Sequence, residues 1–392
     1  MRIAIDIRNI GKKRTGDEVV FFNLVKNLSI MDSDNEYFLL TDRNPATDID
    51  LQKAIESLKL ASNFKVIHLC EGGVGKILWN AWILPRYLRK NPADILQVQY
   101  ITPLFVPRKI KIVTIIHDVS FKVFPQLIGK LDLFFLNNLI PLSLKRANRI
   151  VGVSQFTVAE IIKYYQIEPE KIDWIHNAVA DNFLENYTKE QLDMVRKKYA
   201  LPRNFILYIG TLQPRKNLPA LIEAFVGMPT KGRKNYKLVL AGGRGHNFDQ
   251  KIDEFIGNYS LQDHVILPGF IDEADKPLLM KLANVFCFPS LYEGFGIPIL
   301  EAMTLGVPVL ASDIPPHVEI TEGAVLLFNV GDPKDFTEKL TQIMTQESLK
   351  ADLIQKELAQ ARKFSWLQTA RKILGIYQEL YTGDKSIDNS AI

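Results

Sequence analysis

The chain has 392 residues, which is too long for one ordinary hydrophobic core, so we expect two domains. Its 47% hydrophobic and 23% charged residues are typical of a soluble globular protein, and its two cysteines, Cys70 and Cys287, exclude a disulfide framework and disfavour a zinc site. The net charge is only +4, no apolar run approaches the ~20 residues of a membrane span, and no leader-like pattern precedes the first apolar run, so we expect a cytoplasmic protein.

Short apolar, β-branched runs alternate with longer helical patterns along the chain, which indicates parallel sheets covered on both faces. In the first half the predicted strands are RIAIDI, YFLLT, FKVIHL, DILQVQ, KIVTIIH and RIVGVS. In the second half they are FILYIG, KLVLAGG, HVILPG, VFCFPS, PVLAS and AVLLFN. A polar stretch separates the two series, so we place a domain junction within residues 178–201. The sequence therefore predicts an α/β fold of two doubly wound domains in tandem.

A loop with glycines and a carboxylate follows the strand VFCFPS and leads into a helix near Pro298. In such sheets, ligands bind at the carboxyl ends of the strands. Gly294 and Gly296 allow backbone amides to approach a ligand closely, and the helix N-terminus adds a positive dipole. These features predict an anion site.

Two carboxylates accompany this anion site, Glu293 in the loop and Glu301, which we expect in the first helical turn. Carboxylates fit beside an anion only when they accept hydrogen bonds from hydroxyl groups. A nucleotide sugar carries hydroxyls on its hexose and ribose beside a diphosphate. The pattern therefore favours a nucleotide-sugar site over a plain helix start with surface glutamates.

The stretch EGFGIPILEA is similar to the signature of retaining glycosyltransferase family 4, or glycosyltransferase group 1, which has the GT-B fold of two facing Rossmann-like domains. The resemblance extends to IGTLQPRKNLPALIEAF, LAGG, ILPGFI, IIHDVSF and VSQFT, in the family's order and over most of the chain. It implies an acceptor-binding domain over 1–178, a nucleotide-sugar-binding domain over 179–365, and a C-terminal helix over 366–383 that crosses back to the first domain.

The same resemblance implies roles for individual residues. Glu293 would bind the hydroxyls of the donor sugar, and Glu301 would bind the ribose. Arg215 and Lys216 would neutralise the diphosphate as it leaves, with more weight on Lys216 because Thr211 stands where other members carry arginine. The backbone amides implied to contact the sugar and diphosphate are those of Gly294, Phe295, Gly296 and Ile297.

Two residues of the first half receive roles from the resemblance as well. It implies that His117, at the end of KIVTIIH, lies beside the donor sugar, with Asp118 orienting the ring. It also implies that Gly16, at a helix N-terminus, lies near the phosphate. Asp17 suits the helix dipole but would repel a phosphate, and the preceding Lys12, Lys13 and Arg14 would either offset the acid or face a membrane. The expected catalytic set is His117, Lys216 and Glu293.

Three other patterns imitate known sites. EGGVGK lacks the full spacing of a phosphate loop, and AGGRGHNF lacks the third glycine of a dinucleotide fingerprint. The pairs Asp32 with Asp34 and Asp48 with Asp50 imitate an Asp-x-Asp metal motif, but we expect them in turns. We expect no metal and no other cofactor.

The resulting hypothesis is retaining transfer of a hexose from a nucleoside diphosphate sugar to a glycan or lipid-linked acceptor, with no nucleic acid partner. Similarity to bacterial mannosyltransferases of surface polysaccharide synthesis favours GDP-mannose as the donor. A GT-B enzyme of other chemistry, such as an epimerase or phosphorylase, and a silent nucleotide-sugar-binding subunit stay open as alternatives.

Positive charge is concentrated between Lys76 and Arg149, where twelve basic residues face three acids, a net +9. Within it, KILWNAWILPRYLRK alternates Trp79, Trp82 and Ile83 with basic residues. One interpretation is peripheral contact with the anionic inner face of a membrane, with both tryptophans at headgroup depth. A buried helix with a solvated basic end is the other.

Overall fold

The structure, a computed structural model, describes residues 1–12, 16–70, 74–245 and 247–383. The predictions made for Lys13, Arg14 and residues 71–73 of EGGVGK concern residues outside these ranges. The polar composition of GDKSIDNSAI at the C-terminus predicts disorder, and the residues after Gly383 also lie outside these ranges. The described chain forms two compact units. The first joins Met1–Asn177 to the segment that begins at Ser365, and the second is Ala178–Phe364.

The strands of the described residues are β1 Arg2–Asp6, β2 Glu36–Thr41, β3 Phe64–His68, β4 Ile95–Gln99, β5 Lys111–Ile116, β6 Arg149–Gly152, β7 Ile172–Trp174, β8 Phe205–Ile209, β9 Lys237–Ala241, β10 Val265–Ile266, β11 Val285–Phe288, β12 Val309–Ser312 and β13 Leu326–Phe328. The first unit holds a parallel sheet in the order β3-β2-β1-β4-β5-β6-β7, and the second holds one in the order β10-β9-β8-β11-β12-β13. All twelve predicted strands are confirmed, as is the α/β fold of two doubly wound parallel sheets. The short edge strand β7 was not predicted.

The α-helices of the described residues are α1 Asp17–Met31, α2 Ile49–Leu58, α3 Lys76–Leu78, α4 Leu84–Lys90, α5 Ser120–Val123, α6 Lys130–Arg146, α7 Gln155–Tyr165, α8 Lys189–Lys198, α9 Leu218–Gly227, α10 Thr230–Arg233, α11 Lys251–Asn258, α12 Lys276–Lys281, α13 Ile297–Thr304, α14 Pro315–Thr321, α15 Pro333–Thr345, α16 Glu347–Ala361 and α17 Trp366–Thr382. None of those in the described ranges combines the length and the apolar content that crossing a bilayer requires.

Continuous apolar strands produce the core of each unit, because both faces of a parallel sheet are covered by helices. All five residues of β8 are buried, and so are all four of β11. Polar residues therefore accumulate beyond the strand ends, where the chain turns into a helix. This arrangement places polar loops together along one edge of each sheet.

The pair Asp32 and Asp34 lies in the connection after α1, as predicted, whereas Asp48 and Asp50 lie at the start of α2 and not in a turn. Asp32 follows α1, and its carboxylate accepts hydrogen bonds from the Asn35 amide group (2.7 Å) and the Tyr37 hydroxyl (2.5 Å). Asp48 is the N-cap of α2, and its carboxylate accepts from the backbone N–H of Leu51 (2.9 Å). Local backbone and side-chain donors therefore occupy these carboxylates.

The expectation that both tryptophans of KILWNAWILPRYLRK face a membrane is wrong for Trp79. A π-helical turn, Trp79–Ile83, joins α3 to α4 and directs Trp79 into the core. Its indole Nε1 donates to Asp6 Oδ2 at the end of β1 (3.0 Å), and the Arg8 guanidinium lies over the ring (4.5 Å). Trp82, by contrast, is 58% exposed. The stretch therefore contributes one tryptophan to the core and one to the surface.

The C-terminal helix α17 belongs to the first unit and packs against α1. It begins after Ser365, whose hydroxyl accepts a hydrogen bond from the Leu367 N–H (3.2 Å). The buried Tyr377 of α17 donates its hydroxyl to Oε1 of the buried Gln97 on β4 (2.9 Å). This bond ties the helix to the sheet of the first unit.

We predict that Tyr377→Phe lowers the free energy of unfolding by about 1–3 kcal/mol, because Gln97 Oε1 is left buried without a donor. Differential scanning calorimetry checks this as a lower Tm. Tyr381→Phe is the matched control on the same helix, because Tyr381 is 58% exposed. Equal effects of the two substitutions would contradict a structural role for the Tyr377–Gln97 bond.

Candidate functional site

The polar loops of the second unit meet where the order of its strands reverses, between β8 and β11. Such a switch point opens a crevice at the carboxyl ends of a parallel sheet, and ligands bind there. Arg215 and Lys216 lie in a short 3₁₀ turn, Pro214–Lys216, after β8. Glu293 lies in the loop after β11. The fold thus brings together residues that are 77 or 78 positions apart in the sequence.

Glu293 is held by two cations and one hydroxyl. Lys216 Nζ hydrogen-bonds to Glu293 Oε1, and Arg215 Nη1 contacts Oε2 at 3.2 Å. Ser290, just beyond β11, donates its hydroxyl to Oε1 (2.7 Å). Arg215 Nη1 also donates to the carbonyl oxygen of Tyr292 (3.1 Å), which fixes the loop itself. The predicted residues Arg215, Lys216 and Glu293 therefore form one contiguous cluster.

The charge state of Glu293 follows from this cluster. Burial by itself raises the pKa of the carboxyl, but the charges of Lys216 and Arg215 oppose it. Together with hydrogen bonds from Lys216 and Ser290, they lower the pKa to about 2. Glu293 is therefore an anion at every ordinary working pH, and the three charged groups sum to one net positive charge.

The loop from Glu293 leads into α13 through Gly296, which has φ 124° and ψ 44°. Only glycine adopts this conformation readily, and Pro298 fits the first turn because it needs no N–H partner. Phe295 is buried and packs edge-to-face against Phe364, with ring centroids 6.1 Å apart. The packing of Phe295 thus holds the backbone from Gly294 to Ile297 in place at the N-terminus of α13.

Glu301 lies in the second turn of α13, not in the first as expected, because the helix begins at Ile297. Its carboxylate pairs with Lys276 Nζ, at 2.8 Å from Oε1 and 2.7 Å from Oε2. Burial raises the pKa of the Glu301 carboxyl, and the charge of Lys276 counteracts the rise. The two carboxylates of the signature are therefore each paired with a lysine, Lys216 from the 3₁₀ turn after β8 and Lys276 from α12.

In the first unit, the carboxyl ends of β4 and β5 place His117 near the start of α1. His117 Nε2 lies 3.0 Å from Gln99 Oε1 and 3.9 Å from Asp17 Oδ1. Gly16 precedes Asp17 with φ 83°, and a Cβ built on it meets nothing within 4 Å among the described residues. The structure therefore brings His117 and the Gly16 turn together at one edge of this sheet.

Asp118 does not orient His117, contrary to expectation. Its Oδ1 accepts a hydrogen bond from the Ser120 N–H (2.9 Å) at the start of α5, so the side chain points to its own helix. Gln99 at the end of β4 contacts the imidazole instead. Sequence adjacency suggested Asp118, whereas the sheet supplies the partner from the neighbouring strand.

Three residues of the site were missed in the sequence: Lys276, Ser290 and Gln99. Lys276 lies in α12 and carries no motif of its own. Ser290 is the last residue of the predicted strand VFCFPS, but only the fold shows its hydroxyl on Glu293. Gln99 closes a predicted strand, and a polar residue at such a position was the signal that could have identified it.

Comparison with known proteins identifies the family of the chain. A family model described as Glycosyl transferases group 1 matches residues 191–360, and one described as Glycosyltransferase Family 4 matches residues 16–183. O-antigen chain mannosyltransferase B of Escherichia coli is 30% identical over 277 residues, which cover 70% of this chain and 72% of that protein. The serotype-specific mannosyltransferase WbdA of E. coli is 33% identical over 257 residues, 65% of this chain but only 31% of that protein.

The fold is shared with solved structures as well. Anabaena HepE, in complex with UDP and glucose, superposes with a TM-score of 0.74 at 18% identity, over 97% of this chain and 100% of that one. The two parallel-sheet units with a polar switch point are those of a GT-B glycosyltransferase. The chain belongs to the glycosyl transferases group 1 family, and the expected hexose transfer from a nucleotide sugar agrees with that membership.

We predict that Lys216→Ala raises the pKa of Glu293 above its value of about 2. Burial still raises this pKa in the variant, but only Arg215 is left as a cation that lowers it. ¹³C NMR titration of a protein with labelled glutamate measures it, with Glu293→Gln assigning the signal. Lys276→Ala is the control, since Lys276 pairs with Glu301. An unchanged Glu293 titration in Lys216→Ala would contradict the electrostatic account.

Proposed function

We propose that this chain is a retaining hexosyltransferase that moves mannose from GDP-mannose to a glycan or lipid-linked acceptor. The carrying observation is the cluster of the half-buried Arg215 and Glu293 with the buried Lys216 at the switch point of the second sheet. The second unit binds the donor and the first binds the acceptor. Support for mannose comes from the names of the relatives, which are mannosyltransferases of O-antigen synthesis.

The net positive charge of the cluster suits a diphosphate. Arg215 and Lys216 already stand at fixed positions, so they neutralise the leaving group without reorganisation at the moment of reaction. The N-terminus of α13 and the amides of Gly294 to Ile297 add dipoles of the same sign. Glu301, held by Lys276, receives the ribose hydroxyls. The roles of His117 and Gly16, which belong to the first unit, remain predictions from the family resemblance.

Retention of configuration then proceeds without a nucleophile from the protein. Two cations and Ser290 occupy the oxygens of Glu293, and a carboxyl with a pKa of about 2 is a poor general base. Glu293 therefore positions the sugar hydroxyls. The acceptor hydroxyl attacks on the face that the diphosphate leaves, and the departing phosphate accepts its proton.

We further propose that the reaction needs no metal ion, because Arg215 and Lys216 supply the positive charge that a divalent cation supplies elsewhere. Turnover in excess EDTA tests this. Loss of turnover in EDTA that added magnesium or manganese restores would refute metal independence.

Incubation with radiolabelled GDP-mannose, with and without acceptor, separates the proposal from its alternatives. Transfer gives GDP and a labelled acceptor, whose anomeric configuration is read by NMR. Release of a new nucleotide sugar indicates an epimerase, dependence on inorganic phosphate indicates a phosphorylase, and binding without turnover indicates a silent subunit. UDP-mannose and GDP-glucose are the control donors, because only the base or only the sugar differs.

We predict that Glu293→Ala lowers kcat at least ~100-fold, the scale of one lost transition-state contact, while GDP still binds. Lys216→Ala instead weakens GDP binding itself, because it removes charge from the diphosphate site. Steady-state kinetics and isothermal titration calorimetry measure the two effects. Glu347→Ala is the control, since its side chain is 80% exposed. Near-normal turnover of Glu293→Ala would exclude the positioning role.

A second proposal concerns peripheral contact of the first unit with an anionic membrane. Ile77, Leu78 and Trp82 are each more than half exposed around the π-helical turn, and Phe105 is 58% exposed. Arg89 of α4 donates to the carbonyl oxygen of Phe105 (3.1 Å), so these two apolar segments adjoin. We name this set, Ile77, Leu78, Trp82, Arg89 and Phe105, the apolar-basic surface.

Two more basic residues, Arg86 and Lys90, are exposed on α4, the helix that carries Arg89. Aromatic side chains favour the headgroup region of a bilayer, and each basic residue near an anionic surface contributes about 1 kcal/mol. Both contributions come from the same face of α4 and its neighbours. A lipid-linked acceptor would be reached at such a surface.

We predict that the protein sediments with vesicles of anionic phospholipid, not with neutral phosphatidylcholine vesicles, and that salt weakens binding. Trp82→Ser with Phe105→Ser lowers binding, whereas Leu184→Ser, 68% exposed in the second unit, does not. No binding to anionic vesicles at low salt would show a protein that acts away from membranes.

A further inference from the structure

A buried chain of hydrogen bonds connects α14 to Glu293 within the second unit. Ser290 donates its hydroxyl to Glu293 Oε1 (2.7 Å), and Ser312 donates its hydroxyl to the carbonyl oxygen of Ser290 (2.6 Å). His317 Nδ1 lies 3.0 Å from the carbonyl oxygen of Ser312 and 3.1 Å from its hydroxyl oxygen. The connection runs from α14 through the ends of β12 and β11 to the carboxylate.

The partners fix the tautomer of His317. A carbonyl oxygen only accepts, so Nδ1 carries the proton and donates it to Ser312. Burial lowers the pKa of His317 to about 4, so the ring is neutral at ordinary pH. Its Nε2 finds no hydrogen-bond partner among the residues that the structure describes. The ring is thus held by one nitrogen.

The His317 ring also packs close to Gly296, at the end of the loop that follows β11. A Cβ built on Gly296 would stand 3.4 Å from His317 Cδ2 and 3.0 Å from Ile320 Cδ1. The imidazole packs against Phe288 as well, with ring centroids 5.5 Å apart, and Lys216 Nζ lies 5.1 Å from the centroid of the same phenylalanine. His317 therefore supports both ends of the stretch from Glu293 to Gly296.

An apolar side chain would meet the packing needs of this position at lower cost. Leaving Nε2 buried without a partner costs free energy, and leucine has no such atom. Stability alone therefore does not explain a histidine here. The feature that leucine lacks is the Nδ1–H donor that holds the end of β12.

We propose that His317 and Ser312 are positioning residues for Glu293, acting through Ser290, an inference that deepens the proposed sugar transfer and rests on it. Neither residue touches the donor. Their hydrogen bonds fix the backbone of Ser290, which aims its hydroxyl at Glu293 Oε1, and the ring holds Gly296 in place. Glu293 is thereby set in the orientation in which it meets the sugar.

The test compares His317→Leu, His317→Asn, Ser312→Ala and the double variant His317→Leu/Ser312→Ala with the unmutated protein. We expect His317→Leu to lower kcat about tenfold, the scale of one hydrogen bond, with KM for GDP-mannose and affinity for GDP within about twofold. Asparagine places an N–H near the position of Nδ1–H, so His317→Asn restores most of kcat. The double variant loses no more than the worse single variant, since both act through one chain.

Glu357→Ala is the matched control for lost stability. Glu357 is buried and accepts from the Val309 N–H (2.8 Å) at the other end of β12, away from Ser312. We expect it to lower Tm at least as much as His317→Leu does and yet to leave kcat unchanged. Equal kcat losses in Glu357→Ala and His317→Leu, an unchanged kcat in His317→Leu, or no recovery with asparagine would overturn the inference.

The unmutated protein separates this inference from the proposed function. If it transfers no mannose, the proposed function fails, and crystal structures of the unmutated protein and of His317→Leu decide the inference instead. A displaced Glu293 carboxylate in His317→Leu supports it, and an unmoved one overturns it.

Discussion

The site depends on one buried carboxylate that is compensated by two cations. Taking Glu293 out of water is costly, and the cost is offset only because Lys216, Arg215 and Ser290 meet it with good geometry. Removing either cation leaves the carboxylate with one compensating charge instead of two. The loops after β8 and β11 therefore have to keep fixed positions relative to each other. A shift of either backbone would weaken the ion pairs that stabilise the Glu293 carboxylate.

Parallel topology is what makes this compensation available. β9 and β10 lie between β8 and β11 in sequence, yet β8 and β11 are neighbours in the sheet, with Ile206 opposite Val285. The carboxyl ends of both strands consequently deliver their loops to one place. The same rule places Gln99 beside His117 in the first sheet, since β4 and β5 are paired throughout.

The sequence predicted what depends on local pattern and failed where partners come from distant elements. Twelve strands followed from apolar runs, but Asp173 interrupts the apolar residues of β7, so its sequence IDW offers no run to recognise. The predicted cluster of Arg215, Lys216 and Glu293 was accessible because a family motif marked each member. Lys276 belongs to no such motif. The burial of Trp79 depends on a π-helical turn, which no residue pattern in the sequence predicts.

The two carboxylates of the signature differ because their surroundings differ in positive charge. Burial opposes ionisation of both, but Glu293 meets two cations and its pKa falls, whereas Glu301 meets only Lys276 in its pair and its pKa rises. Pairs of acids whose pKa values are pushed apart by their environment generally have separate tasks. In the proposed site, the permanent anion Glu293 lies beside Arg215 and Lys216 and leaves the cluster one net positive charge for a diphosphate. Glu301, which the proposal assigns to the ribose, lies in the second turn of α13, where accepting hydroxyl groups requires oxygens but not a charge of fixed strength.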